Sequence, residues 1–137
     1  MAATIDAELL TPERPLFIGA ATMVTLRTGD GDIAFLAHHA PFMGTVDICV
    51  VKVERPDAAT LYAAVHGGFV QVAKNKVVIL ADIAELANEI DVARAQHAKE
   101  RAEAALAHSS DAMAEAALRR AHVRLAVSSA IIRSSHP

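Results

Sequence analysis

The stretch Lys76-Val77-Val78-Ile79-Leu80-Ala81-Asp82-Ile83-Ala84-Glu85-Leu86-Ala87-Asn88-Glu89-Ile90-Asp91-Val92-Ala93-Arg94-Ala95 holds two structural grammars, one after the other. Val77-Val78-Ile79-Leu80-Ala81 is a short, continuous apolar run rich in β-branched residues, the pattern of a core strand. Asp91 is a favoured helix N-cap, and Ile90 before it offers a hydrophobic staple. Beyond that point residues 90–137 hold 14 alanines in 48 positions, with no glycine and no proline before Pro137. Alanine is the best helix former, and nothing there interrupts a helix. Upstream the composition reverses. All six glycines, all five aromatics and four of the five prolines lie before residue 89. Glycine and proline punctuate turns, and a chain of short strands needs many turns.

The upstream half reads as strands over Ile5–Leu10, Leu16–Arg27, Asp32–Leu36, Gly44–Arg55, Thr60–His66, Gly68–Ala73 and Lys76–Ala81. Turn signals separate them at Thr28-Gly29-Asp30-Gly31, Arg55-Pro56-Asp57, His66-Gly67-Gly68 and Ala73-Lys74-Asn75-Lys76. So many strands in so short a span suit two packed antiparallel sheets. The downstream half reads as two helices. The first carries the seam Ala95, Ala98, Ala102, Ala105, and the second Ala114, Leu118, Ala121, Leu125, Ser128, Ile132. They are broken at His108-Ser109-Ser110-Asp111, and so short a connection implies an antiparallel hairpin. The expected fold class is α+β, with a β-sandwich over residues 1–88 and a helical hairpin over 89–137.

Bulk properties narrow the functional classes. The chain has 137 residues, 53% hydrophobic and 21% charged, and a formal net charge of -3. That mild charge argues against a nucleic-acid-coating protein. The single cysteine, Cys49, sits in an apolar strand run, which reads as a buried thiol rather than a nucleophile. The N-terminus lacks the basic and apolar regions of a secretory signal, and no apolar run approaches the ~20 residues that span a bilayer. The reading is therefore a soluble protein able to dock on a membrane complex. Residues 1–89 carry six basic and eleven acidic groups, net -5, and residues 90–137 carry seven basic and five acidic groups, net +2. A basic tail on an acidic body suggests an acidic docking partner for the tail, although an ordinary solvated helix surface is commoner.

The alanine seam bears on mobility. A buried methyl contributes only ~0.8 kcal/mol, so the pairing is weak although small residues let the helices approach closely. A marginal hairpin that leaves its resting place and extends follows from this. On residue types alone, a hairpin permanently packed on the sandwich is the commoner outcome.

Ile90-Asp91-Val92-Ala93-Arg94-Ala95 resembles the I/L-D-x-x-R-A motif that opens the first helix of F-type ATP synthase epsilon subunits, and Ala98-Lys99-Glu100-Arg101-Ala102-Glu103 continues in that style. Gly31-Asp32-Ile33 is similar to the family's G-E-L/I turn, with the shorter Asp32 as its acid. His39-Ala40-Pro41 resembles its G-H-A-P loop, with His38 where the family has glycine. Gly67-Gly68-Phe69-Val70-Gln71-Val72 resembles its G-G-x-x-x-V element, and Val78-Ile79-Leu80-Ala81-Asp82 its final strand. The matches run in the family's order along nearly the whole chain. His38 is the main departure, because glycine can serve a positive φ that a bulky residue adopts at a cost.

The resemblance implies a sandwich of about ten strands at the foot of the rotor of the proton-translocating enzyme, peripheral to the cytoplasmic face of the cell membrane. It implies partners: the gamma subunit on one face, the c-ring through loops around Asp32, His38 and His39, and the alpha/beta hexamer through the helices. It implies no catalytic residue, no metal, no required cofactor and no nucleic acid. Arg119, Arg120 and Arg124 correspond to the basic helix that engages an acidic loop of the hexamer and blocks hydrolysis. ATP is a regulatory ligand in some members, and the corresponding positions are Glu85, Ile90, Asp91, Arg94, Ala95, Arg101, Arg120 and Arg124. On a helical wheel Asp91, Arg94 and Arg101 fall within ~80° of one another beside the alanine seam. Converging arginines suit a triphosphate. Asp91 is equally explained as an N-cap paired with Arg94. Arg119 has a local partner in Glu115, whereas Arg120 and Arg124 have no acid three or four residues away and must face solvent, another protein or a ligand.

Two rival classes compete with this reading. One is a free-standing ligand-binding sandwich with a helical oligomerisation tail. The other is a small hydrolase using His38, His39 and an aspartate, for which the chain shows no nucleophile–base pairing or phosphate loop.

Overall fold

Period-two burial organises residues 5–86 into eight strands: β1 (Ile5–Leu10), β2 (Pro15–Ala21), β3 (Met23–Thr28), β4 (Gly31–Phe35), β5 (Phe42–Glu54), β6 (Leu61–Ala73), β7 (Lys76–Ala81) and β8 (Ala84–Leu86). A 3₁₀ turn (Ala87–Glu89) leads into α1 (Val92–His108) and α2 (Ala112–Ser134). The computed structural model describes residues 2–134, with side chains described as far as residue 130.

β5 and β6, 13 residues each, pair along their whole length, from Phe42↔Val72 to Val53↔Leu61, and the pairing skips Asp47 and Gly67. At that point the inward-facing residues change parity. Ala63 and Val65 give way to Val70 and Val72 on β6, and Val46 gives way to Cys49, Val51 and Val53 on β5. The positive φ of Gly67 (83°) and Gly68 (148°) turns β6 over. The two long strands thereby belong to both layers of the sandwich. Their Phe42–Val46 and Gly68–Ala73 ends join β7, β1 and β2, while their other ends join β8, β3 and β4. Counting β5 and β6 once in each layer, the eight strands supply ten strand segments, matching the count implied above. Between the layers Ile5, Leu9, Val24, Leu26, Phe35, Val51 and Ile79 are almost wholly buried. Cys49 lies in this core, where burial pushes its thiol up and keeps it protonated.

Four features differ from the sequence reading. The run Leu16–Arg27 is two strands, broken at Thr22, whose amide and hydroxyl both donate to Glu54 O. His66-Gly67-Gly68 is an internal twist of one strand rather than a turn between two. β8 was not anticipated; three residues are too few to show a period. β1 pairs parallel with β7, an exception in an otherwise antiparallel fold.

His38 does occupy a left-handed conformation, φ 64°, and a clamp holds it there. Its amide donates to Asn75 Oδ1 at 2.7 Å, while Asn75 Nδ2 donates to Thr4 O at 3.0 Å. Asn75 itself sits with Lys74 at positive φ in the β6–β7 turn, a conformation asparagine tolerates well. One side chain thus ties the N-terminal segment, a hairpin turn and the histidine loop together. Beside it the His39 ring packs edge-on against Phe35, with centroids 4.9 Å apart, and Nδ1 donates to Ala40 O at 2.7 Å.

Asp91 caps α1 by accepting from the Arg94 amide, and Asp111 caps α2 by accepting from the Met113 amide. α1 packs on α2, and α2 lies on β5 and β6. The buried seam of α1 is Ala95 and Ala102, with Leu106 half-buried where Ala105 was expected. A true helix advances 100° per residue, so Leu106 stays within about 20° of Ala95 while Ala105 swings about 80° away. On α2, Ala114 and Ala121 are buried, and Leu118, Leu125 and Ser128 are half-buried. Ile132 lies outside the residues whose side chains are described. Val127, absent from the expected seam, is fully buried against Ala64 and Ile90 because it faces the sheet.

A Cβ on Gly68 would stand 2.3 Å from Leu80 O. Gly68→Ala is expected to cost about 2 kcal/mol or more, read as a fall of roughly 5 °C or more in Tm by circular dichroism. Gly29→Ala, whose added Cβ meets only Thr45 Oγ1 at 3.9 Å, serves as the near-neutral control. Asn75→Ala is expected to lose about 1–3 kcal/mol in urea unfolding. Asn75→Gly keeps the turn conformation and should lose only the share due to the two hydrogen bonds.

Candidate functional site

Where α1, α2 and β8 meet, a crevice of about 400 Å³ opens, within the ~300–1,000 Å³ range of small-molecule sites. Glu85, Glu89, Asp91, Arg94, Arg101, Arg120 and Arg124 supply its polar lining, and Ala95, Ala98 and Ala117 its apolar floor. The hairpin makes this convergence possible. Arg94 and Arg101 lie two turns apart beside the buried face of α1, and Arg120 and Arg124 lie one turn apart on α2. Alanine at the seam leaves space between the helices that larger side chains would fill.

Four arginines against three carboxylates leave a surplus of one positive charge on the lining. The acids are already engaged. Arg124 Nε donates to Glu85 Oε1 at 2.7 Å. Glu89 pairs with Arg14 and accepts from the Leu86 amide, and Asp91 is occupied as a helix cap. Among the described residues no ion pair holds Arg94, Arg101 or Arg120. Such a set suits an anion with several oxygens, because guanidinium groups present forked donors to phosphate.

Of the eight positions expected to contact nucleotide, seven line the crevice. Ile90 is a core residue instead, 9% exposed and packed on Ala64 and Val127. Arg119 corrects the sequence reading. It reaches Asp47 on β5 at 3.5 Å rather than Glu115, because α2 lies across that strand. Arg124 also finds a protein partner, from a distant element that helical spacing could not reveal.

His66 was overlooked by sequence reasoning. Its side chain is 2% exposed, and Nε2 lies 2.9 Å from Glu85 Oε1. Period-two alternation puts it on the same face of β6 as Tyr62 and Ala64, the face that α2 covers. The signal was present, since a histidine two residues after a buried alanine in an apolar run must point where that alanine points. Burial pushes its imidazole below the ordinary value; Arg124 and Arg120 act in the same direction, and Glu85 opposes them. Desolvation raises Glu85, but the hydrogen bonds from Arg124 and His66 outweigh it and hold the carboxyl below its ordinary value. The neutral imidazole therefore donates Nε2–H to a carboxylate. Its Nδ1 is buried and has no partner among the described residues.

The loop candidates stand apart. Asp32, at the start of β4, pairs with Arg27 at 2.9 Å, which holds the carboxyl below its ordinary value. His38 and His39 lie beyond the other end of β4, about 10 Å of strand further on. Among the described residues no group of three His, Cys, Asp or Glu side chains could hold a metal ion, and no helix is long and apolar enough to cross a membrane.

Residues 4–87 match the beta-sandwich domain of the ATP synthase Delta/Epsilon chain, and residues 88–129 match its long alpha-helix domain. The chain is 45% identical over 130 residues to an ATP synthase epsilon chain of Streptomyces avermitilis, covering 95% of this chain and 99% of that one. A Bacillus pumilus ATP synthase epsilon chain is 38% identical over 127 residues, covering 90% and 96%. Among solved structures, the Euglena gracilis mitochondrial ATP synthase (OSCP/F1/c-ring) contains a chain with TM-score 0.70 at 23% identity, covering 99% of this chain and 84% of that one. At that identity the likeness speaks for the fold alone. Two consecutive domain matches and relatives similar from end to end place this chain in the epsilon family of F-type ATP synthases.

Proposed function

We propose that this chain is the non-catalytic central-stalk subunit that couples c-ring rotation to the catalytic head and restrains ATP hydrolysis through its helices. One observation carries the regulatory part: the hairpin meets the sandwich chiefly through α2, and the buried residues of the seam between the helices are the alanines Ala95, Ala102, Ala114 and Ala121. A seam so poor in large side chains holds the two helices together weakly, which suits an element that unzips and changes posture. The division at residues 88/89 is read as the boundary between a fixed head and this movable part.

The outward face of the first layer supports docking on the gamma subunit. Phe69 and Leu80 are directly paired there, Met43 lies on the adjoining β5, and Ile18 lies on the same sheet beyond β1. They are 38%, 52%, 64% and 64% exposed, and large apolar side chains gathered in the open on one sheet mark an interaction site. The Asp32 turn and the Asn75-clamped His38–His39 loop are assigned to the c-ring. The protein would then sit peripherally at the cytoplasmic face of the membrane. Arg119, Arg120 and Arg124 are assigned to the hexamer when the helices extend. In the folded posture the arginine-lined crevice is assigned to ATP as a regulatory ligand, with no cofactor required. No observation favours a free-standing ligand-binding sandwich.

Deleting residues 90–137 is expected to leave assembly intact and to raise ATP hydrolysis by the assembled enzyme several-fold; an unchanged rate would remove the inhibitory role. Titration calorimetry of the full chain with ATP is expected to show binding that Arg94→Ala weakens at least tenfold, the loss of about 1.4 kcal/mol expected for one charge-assisted contact. No heat at millimolar nucleotide would remove the sensing role.

A further inference from the structure

Arg124, Glu85 and His66 form a chain from α2 through β8 to β6, with links of 2.7 and 2.9 Å. It spans the surface on which the hairpin rests. Both outer members depend on a single oxygen, Glu85 Oε1, and His66 reaches it with Nε2. His66 Nδ1 is buried beneath the covering helix with no acceptor in reach among the described residues. A second proton on the ring would be a buried donor with nothing to receive it. The two guanidinium groups that face the ring add to that barrier, and the carboxylate opposes it. These groups are Arg124 and Arg120 on α2, and Glu85 on β8. Asp47 on β5 is held by Arg119, and Asp82 follows β7, its amide donating to Gly67 O. Once α2 lifts, two arginines leave and water reaches Nδ1.

We propose that His66 is a positioning residue which holds Glu85 against Arg124 only while its imidazole is neutral, so that uptake of a proton at Nδ1 favours departure of the hairpin from the sheet. The docked state therefore binds fewer protons than the undocked state. The contribution of His66 to docking is fully present above the ordinary histidine range and is lost as pH falls through it. Acidification thus shifts the subunit toward the posture that restrains hydrolysis. The proposal rests on the hairpin being movable, as argued above, and on no nucleotide.

Two measurements on the full chain without nucleotide test it. Imidazole ¹⁵N spectra should show the Nε2–H tautomer of His66 and a titration midpoint below the ordinary 6.5, rising in Arg124→Gln. An Nδ1–H tautomer, or a midpoint at or above the ordinary value, overturns the proposal, and this arm needs no change at His66. Energy transfer between dyes at Asp57→Cys and Met113→Cys, in a Cys49→Ser background, should show the undocked-to-docked ratio rising as pH is lowered from 8 to 5. The limit for one proton is about tenfold per pH unit. His66→Gln should flatten the profile; an unchanged profile overturns the proposal. Glu85→Gln breaks the chain irrespective of protonation and should open the hairpin at every pH. A flat wild-type profile beside an open Glu85→Gln variant sinks the proton link alone. A hairpin closed in every variant sinks the movable hairpin as well.

Discussion

The contact of Arg124 with Glu85 is the pivot of this molecule. It joins the helical half to the strand half with a charge-assisted hydrogen bond in a partly buried setting, where such a bond is worth more than at the open surface. Beside it Val50, Tyr62 and Val123 are partly buried against the sheet–helix contact. Val127 fills the pocket made by Ala64 and Ile90, and the helices meet along Ala95, Ala102, Ala114 and Ala121. Little else anchors α1, which packs on α2. The crevice follows from the same contact, because Arg94 and Arg101 face Glu85, Arg120 and Arg124 only while α2 lies on the sheet.

The strand half is built to the opposite specification. β5 and β6 run through both layers, so neither sheet can shift without the other. Gly67 and Gly68 make this possible by turning β6 over at mid-length, with Gly68 against the Leu80 carbonyl. The core is almost wholly aliphatic, and Asn75 fixes the loop next to it through two hydrogen bonds. In the proposed function the head transmits torque and the tail changes state.

The layers also divide the surface. One outer face carries Ile18, Met43, Phe69 and Leu80 in the open, and the other is covered by α2. The polar chain lies under the helix and away from the apolar face, so breaking it leaves that face unchanged.

Local chemistry made much of this legible in the chain. The apolar run Val77-Val78-Ile79-Leu80-Ala81, the cap at Asp91, the alanine run and turn signals such as Thr28-Gly29-Asp30-Gly31 set the fold class, the hairpin and the β1 and β7 boundaries. Each depends on residues within a few positions of one another. The arginines of the crevice were reachable too, because helical geometry fixes which side chains share a face. Contacts between residues far apart in sequence were not legible: Arg119 with Asp47, Arg124 with Glu85, His66 beneath α2, and the parallel pairing of β1 with β7. Pattern and propensity specify each segment's own shape and its buried side. Which distant partner that side meets is settled by packing the segments together, when burial, hydrogen bonding and charge must all be satisfied at once.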